Sequence, residues 1–118
     1  MTEYFLDHIT DPKTRAFILN YYLDSFKGTL FRQTQFAVFE QFIHEADAKG
    51  EPLTADILDE VYGQLNQHYY GDSVEPGGDI ALEWSRIPHF YYDFYVYQYA
   101  TGFAAATALA NKVVHGSE

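Results

Sequence analysis

The stretch His89-Phe90-Tyr91-Tyr92-Asp93-Phe94-Tyr95-Val96-Tyr97-Gln98-Tyr99 places one imidazole and five phenols within eleven residues. Both groups can donate hydrogen bonds at neutral pH. Donors held close together on a rigid element can stabilise the oxyanion that forms when water attacks a peptide carbonyl. They can equally hold a peptide backbone. On the residue types alone, a buried aromatic cluster in which His89 merely caps a helix is the better-supported reading.

Other chemistry is sparse. Glu40 and His44 stand four residues apart, with Glu45 and Asp47 nearby. Two ligands on one helix face can begin a metal site, but zinc takes at least three protein ligands, and the motif HExxH is absent. A solvated, mixed-charge helix end is the expectation there. Ser25, Ser73, Ser85 and Ser117 lack the G-x-S-x-G context of a nucleophile elbow. Gly77-Gly78 follows a proline and lacks the lysine of a phosphate-binding loop.

The elements that must position these residues read as helices. Asp11-Pro12 makes a good start, with Asp11 as N-cap and Pro12 at the first helical position. Leu19, Tyr22, Leu23 and Phe26 follow at helical spacing. Gly28-Thr29 is expected to kink or break this helix. Beyond it, Phe36, Phe39, Phe42, Ile43 and Ala46 form the cleanest apolar stripe in the chain, ending near Lys49-Gly50. Thr54 caps the next helix, which Ile57, Leu58, Val61, Tyr62, Leu65 and Tyr69 carry to Tyr70. Residues 72–78 are a loop, and a short helical turn is expected over Ile80 to Trp84. Pro88 then opens a last helix, expected to run from His89 to about His115. That helix is aromatic or apolar nearly all round, a pattern suited to the centre of something larger. With no convincing strand alternation, the fold class is all-α: three to four main helices in a bundle-like unit with a long aromatic C-terminal helix.

The net charge of −10, from 17 acidic and 7 basic residues, opposes phosphate backbones and anionic membrane surfaces, so neither nucleic acid nor membrane is an expected partner. No secretory signal and no membrane-length apolar run is visible. Cysteine is absent, which excludes disulfides and thiolate metal sites and is compatible with a reducing cytoplasm. Eleven tyrosines in 118 residues suggest a lined cavity or a large interface, because a tyrosine ring is buried where its hydroxyl can still meet a polar partner.

Residues 84–102, Trp84-Ser85-Arg86-Ile87-Pro88-His89-Phe90-Tyr91-Tyr92-Asp93-Phe94-Tyr95-Val96-Tyr97-Gln98-Tyr99-Ala100-Thr101-Gly102, resemble the C-terminal signature of oligoendopeptidase F, a relative of thimet oligopeptidase. Residues 26–40, from Phe26-Lys27-Gly28-Thr29-Leu30-Phe31-Arg32-Gln33 to Glu40, are similar to a second stretch of that family. The resemblance covers nearly the whole chain in order and spacing. It implies an all-α cytoplasmic zinc peptidase that cuts short peptides in a deep channel. It also implies zinc held by the two His of HExxH and a downstream Glu, with the Glu of the motif as general base. By resemblance, the segment in hand follows the third ligand, and its last helix forms the channel wall opposite zinc. His89, Tyr92, Tyr95 and Tyr99 are the residues expected to hold substrate and oxyanion, Tyr92 and Tyr99 continuing the helical face of His89.

The chain departs from the family pattern at the zinc motif. Residues 1–118 are therefore expected to form a single helical unit equivalent to the C-terminal part of the catalytic domain of a truncated or split peptidase. Such a unit has no cofactor of its own and no activity alone, and its expected partners are short peptides and a complementing N-terminal part. The rival expectation is a free-standing peptide-binding or self-association module, forming homo-oligomers through its aromatic surface.

Overall fold

The computed structural model describes residues 2–73 and 78–116. Residues 74–77, most of the expected loop, lie outside the described residues. Helix α1 covers Thr2–His8 and α2 covers Pro12–Phe26. Asp11 caps α2 as its type demands: its carboxylate accepts from the Thr14 backbone N–H at 2.8 Å and from the Thr14 hydroxyl at 2.6 Å. These bonds to Thr14 hold the Asp11 carboxyl below its ordinary pKa. Arg15 ties the two helices together by donating to the carbonyls of Leu6 and Ile9.

Of the kink or break expected at Gly28-Thr29, the break does not form. Residues Lys27–Phe31 form a π turn in which the Arg32 N–H reaches back to the Lys27 carbonyl, and the helix continues as α3, Arg32–Lys49. A glycine inside a helix costs only about 1 kcal/mol relative to alanine, and the π turn keeps the backbone hydrogen-bonded while shifting the register by one residue. None of the α2 side chains is buried, whereas Gln35, Phe36, Phe39, Glu40 and Ala46 of α3 are. Gly50 ends α3 in the left-handed region at φ 73°, with Glu51 N–H bonding to the Ala46 carbonyl at 2.9 Å. Helix α4, Ala55–Tyr70, starts on Thr54, whose hydroxyl accepts from Ile57 N–H.

The core is small. Phe36 and Phe39 of α3 meet Leu58 and Tyr62 of α4, with Val96 closing one side and Trp84, Ile87 and Phe90 packed around them. Phe39 sits edge-on to Tyr62 at 5.1 Å between ring centroids, and Phe90 sits edge-on to Phe36 at 5.6 Å. A short run of 3₁₀ turns, Gly78–Ile80, Glu83–Arg86 and Pro88–Tyr91, brings the chain from α4 back over this core. They take the place of the single helical turn expected over Ile80 to Trp84.

The expected helix from His89 does not form over its first eight residues. Helix α5 begins only at Tyr97 and runs to His115. Between the last 3₁₀ turn and α5, Asp93 and Phe94 adopt left-handed backbone conformations at φ 43° and 59°. These interrupt any helix and cost of order 1–3 kcal/mol each in a non-glycine residue. The break exists because Phe90 and Val96 are both drawn into the same core from opposite sides of the turn.

All described elements are helical, and their arrangement is open. The radius of gyration is 18.2 Å, against about 13.5 Å for a compact domain of this length. The accessible surface is 8429 Å², against roughly 6,600 Å² for a compact monomer of this mass. Helix α5, whose all-round apolar character suits a buried position, has no buried residue. Among the described residues no helix is long and apolar enough to cross a membrane.

Candidate functional site

The left-handed break brings His89, Tyr92, Tyr95 and Tyr99 together, where the expectation from sequence rests on one continuous helical face. His89 sits on the 3₁₀ turn Pro88–Tyr91, and Tyr92 follows at once, its N–H bonded to the His89 carbonyl at 3.0 Å. The two left-handed residues then fold the chain back, so that the Tyr95 ring stacks on the His89 imidazole at 5.6 Å and 24°. Tyr92 stands edge-on to both, at 6.2 Å from His89 and 6.3 Å from Tyr95. Tyr99, in the first turn of α5, stands edge-on to Tyr95 at 5.6 Å, and its hydroxyl donates to the Tyr95 hydroxyl at 3.4 Å.

The group is a row of one imidazole and three phenols on an open surface. Tyr92 is 60% exposed and Tyr95 40% exposed, so both side chains are open to solvent. The hydrogen bond to Tyr95, followed by partial burial, raises the Tyr99 pKa above that of an ordinary phenol. The Tyr99 phenol therefore stays protonated at neutral pH, which is the state a carbonyl or an oxyanion requires of its donors. Tyr95→Phe deletes the acceptor for Tyr99. The expected result is a Tyr99 titration moved to lower pH, read as phenolate absorbance against pH in the variant and the parent. An unmoved titration would show that the two hydroxyls do not interact.

Glu40 differs from the expectation of a solvated helix end. It is 1% exposed, and its Oε1 accepts the Phe94 backbone N–H at 2.8 Å. The signal is legible in the sequence, since Glu40 lies four residues after Phe36 and three before Ile43, on the apolar stripe itself. His44, its i+4 neighbour, lays its ring against Phe94 at 4.4 Å.

Two further residues escape sequence reasoning. Glu83, 6% exposed, accepts from the Tyr62 hydroxyl at 2.8 Å, from Arg86 at 2.6 Å and from Arg32. Trp84 donates its indole N–H to Asp59 at 2.7 Å. Together they dock the segment leading to His89 onto α3 and α4. Only Arg86 is a local partner of Glu83, and an exposed one; Arg32 and Tyr62, the partners that go with its burial, lie 51 and 21 residues away in the chain.

Zinc, which the family resemblance implies, does not fit the donors among the described residues. Among the described residues no three His, Asp or Glu side chains come together as a metal would require. What the geometry defines is an exposed row of hydrogen-bonding side chains on a partly wrapped helical unit.

The model of peptidase family M3 matches residues 1–118, and the chain belongs to that family. It is 61% identical over 117 residues to "Oligoendopeptidase F, plasmid" of Lactococcus lactis subsp. cremoris, a match covering 99% of this chain and 20% of that protein. It is 54% identical over 112 residues to "Oligopeptidase PepF" of Bacillus subtilis, covering 95% of this chain and 17% of the relative. The crystal structure of oligoendopeptidase-F from Enterococcus faecium superposes with a TM-score of 0.93 at 60% identity, covering 97% of this chain and 22% of that one. The chain thus spans about a fifth of the length of the relatives it matches.

Proposed function

We propose that this chain is the C-terminal part of the catalytic domain of an oligoendopeptidase F-like zinc peptidase, a single helical unit that supplies one wall of the channel in which short peptides are cut. The observation that carries the reading is the row His89–Tyr92–Tyr95–Tyr99, three of whose contacts lie within 6.2 Å between ring centroids. Family membership over residues 1–118 supports it. In this role the phenols and imidazole hold the scissile carbonyl and receive the charge that develops on its oxygen. Seating the metal and activating the nucleophile fall to the rest of the peptidase, and the chain is inactive alone. The cytoplasm is the proposed compartment on the same resemblance.

The excess accessible surface, roughly 1,800 Å² over a compact monomer, favours a covering partner. It is about twice what one partner buries in a standard interface. Phe17, Tyr21 and Leu23 on α2 and Leu109 and Val113 on α5 are exposed apolar positions that the remaining part of the peptidase would cover. The same surface supports a second reading, a self-associating peptide-binding module.

Incubation of the chain with a quenched oligopeptide and zinc is expected to give no turnover above buffer. Mixing it with the separately expressed remainder of a family peptidase is expected to restore chelator-sensitive cleavage. Sustained cleavage by the chain alone would overturn the inactivity. Indifference to the added part, with a dimer or higher assembly by light scattering, would favour the module.

A further inference from the structure

Glu40 is a buried carboxylate that the proposed chemistry does not use. Its Oε2 is shielded from solvent and has no hydrogen-bond partner among the described residues. Burying a carboxylate on the apolar face of a helix is costly, and here a charge-assisted bond from a backbone amide is what offsets it. That amide belongs to Phe94, 54 residues away. Phe94 is also the second of two consecutive non-glycine residues in the left-handed region. Such backbone persists only where its surroundings over-determine it.

The surroundings of this turn come from α3. Glu40 Oε1 holds the Phe94 N–H, the His44 ring lies against the Phe94 ring, and two residues later Val96, 1% exposed, is buried in the core beside Phe36 and Phe39. The turn in turn sets where Tyr95 lies. With Asp93 and Phe94 left-handed, Tyr95 stacks on His89. With those residues in the helical region the chain would run straight on, and His89 and Tyr95 would stand six residues apart on a helix, about 120° apart around its axis and unable to stack.

We propose that Glu40 is a positioning residue: its carboxylate clamps the Phe94 N–H and so holds the left-handed turn that stacks Tyr95 on His89. It touches no substrate and acts through the backbone. The clamp stands on geometry alone, while its consequence for catalysis rests on the peptidase reading above.

The test begins with the unaltered 118-residue chain. Hydrogen exchange followed by NMR is expected to show the Phe94 amide protected roughly 10- to 100-fold relative to an unstructured amide. Exchange at the unstructured rate overturns the clamp with no variant needed. Glu40→Met then removes the acceptor while filling its space. Protection at Phe94 is expected to vanish and the His89 ring protons to lose the ring-current shift imposed by Tyr95, with far-UV circular dichroism retained. Glu40→Gln keeps an oxygen acceptor and is expected to preserve both signals, although its amide N–H₂ replaces the unpartnered Oε2 and lowers overall stability. A His89 shift that survives Glu40→Met overturns the positioning role. If the Glu40→Met chain does not fold, exchange in the parent and the two signals in Glu40→Gln decide the clamp.

In the reconstituted peptidase, Glu40→Met is expected to lower kcat about 10- to 100-fold with KM little changed, and Glu40→Gln to stay within about threefold of the parent. An unchanged kcat with the ring-current signal lost overturns the catalytic consequence. If the unaltered chain restores no activity, the peptidase reading falls, and the exchange and ring-current measurements still decide the clamp.

Discussion

His89→Ala in the reconstituted peptidase is expected to reduce kcat/KM about 10²- to 10³-fold, the loss typical of removing one preorganised oxyanion donor. The imidazole does two things at this site. It offers a donor beside the phenols of Tyr92 and Tyr95, and its ring face is the platform on which Tyr95 stacks. Alanine removes both. Tyr99→Phe separates the two roles, because phenylalanine keeps the edge-on packing against Tyr95 and deletes only a hydroxyl. If the row acts on charge that develops during the reaction, both variants lower kcat more than they raise KM. If it only grips the peptide backbone, KM rises and kcat holds. Steady-state kinetics on one quenched peptide distinguishes the cases, and a parental kcat/KM in His89→Ala would remove His89 from the site.

The largest expected effect on stability is at Glu83. Glu83→Ala is expected to cost roughly 3–5 kcal/mol, the range for stripping one partner from a buried ion pair. It would leave the Tyr62 hydroxyl without its acceptor and the half-buried Arg32 guanidinium without its counter-charge. Arg86→Ala, on the exposed side of the same carboxylate with 71% of its side chain accessible, is expected to cost less than about 1 kcal/mol. Urea midpoints of the two variants test the contrast, and equal midpoints would refute it. A loss of several kcal/mol is a large part of any domain's stability. It also undocks the turn Glu83–Arg86, which precedes the turn carrying His89.

The same carboxylate gives the chain an acid-sensitive step. Burial pushes the Glu83 pKa up, but the hydrogen bond from Tyr62 and the Arg32 guanidinium pull it down further, so the folded value lies below the ordinary 4.5. Burial and the bond to Glu83 push the Tyr62 phenol far above its usual range, so Tyr62 remains a donor throughout. A depressed folded pKa contributes stability that is complete above the unfolded value and is lost as pH falls through the folded one. Stability is therefore expected to decline below about pH 4.5, and Glu83→Gln to flatten that decline when thermal midpoints are compared across pH.

Much of this molecule is legible in its sequence where the determinant is local. The caps at Asp11 and Thr54 and the left-handed stop at Gly50 fall where side-chain chemistry and backbone freedom require them. The stripe Phe36, Phe39, Ala46 faces the core because its period matches the helix. The candidate residues His89, Tyr92, Tyr95 and Tyr99 are also reached from sequence, through resemblance, although the continuous helix that would group them does not exist.

What the sequence could not decide is governed by contacts between distant residues. Gly28 has the look of a break, yet packing of Phe26 against Phe103 of α5 keeps the helix in line across the π turn. Residues 89–96 carry strong helical spacing, but placing both Phe90 and Val96 in one core, with Phe94 N–H on Glu40, outweighs local propensity and turns the backbone left-handed. Glu83 carries no local mark of its burial for the same reason. Residue type and period report the balance between helix and water along one stretch of chain. Only the fold brings Phe94 to Glu40, and Arg32 and Tyr62 to Glu83, and supplies the partners that make burying a charge favourable.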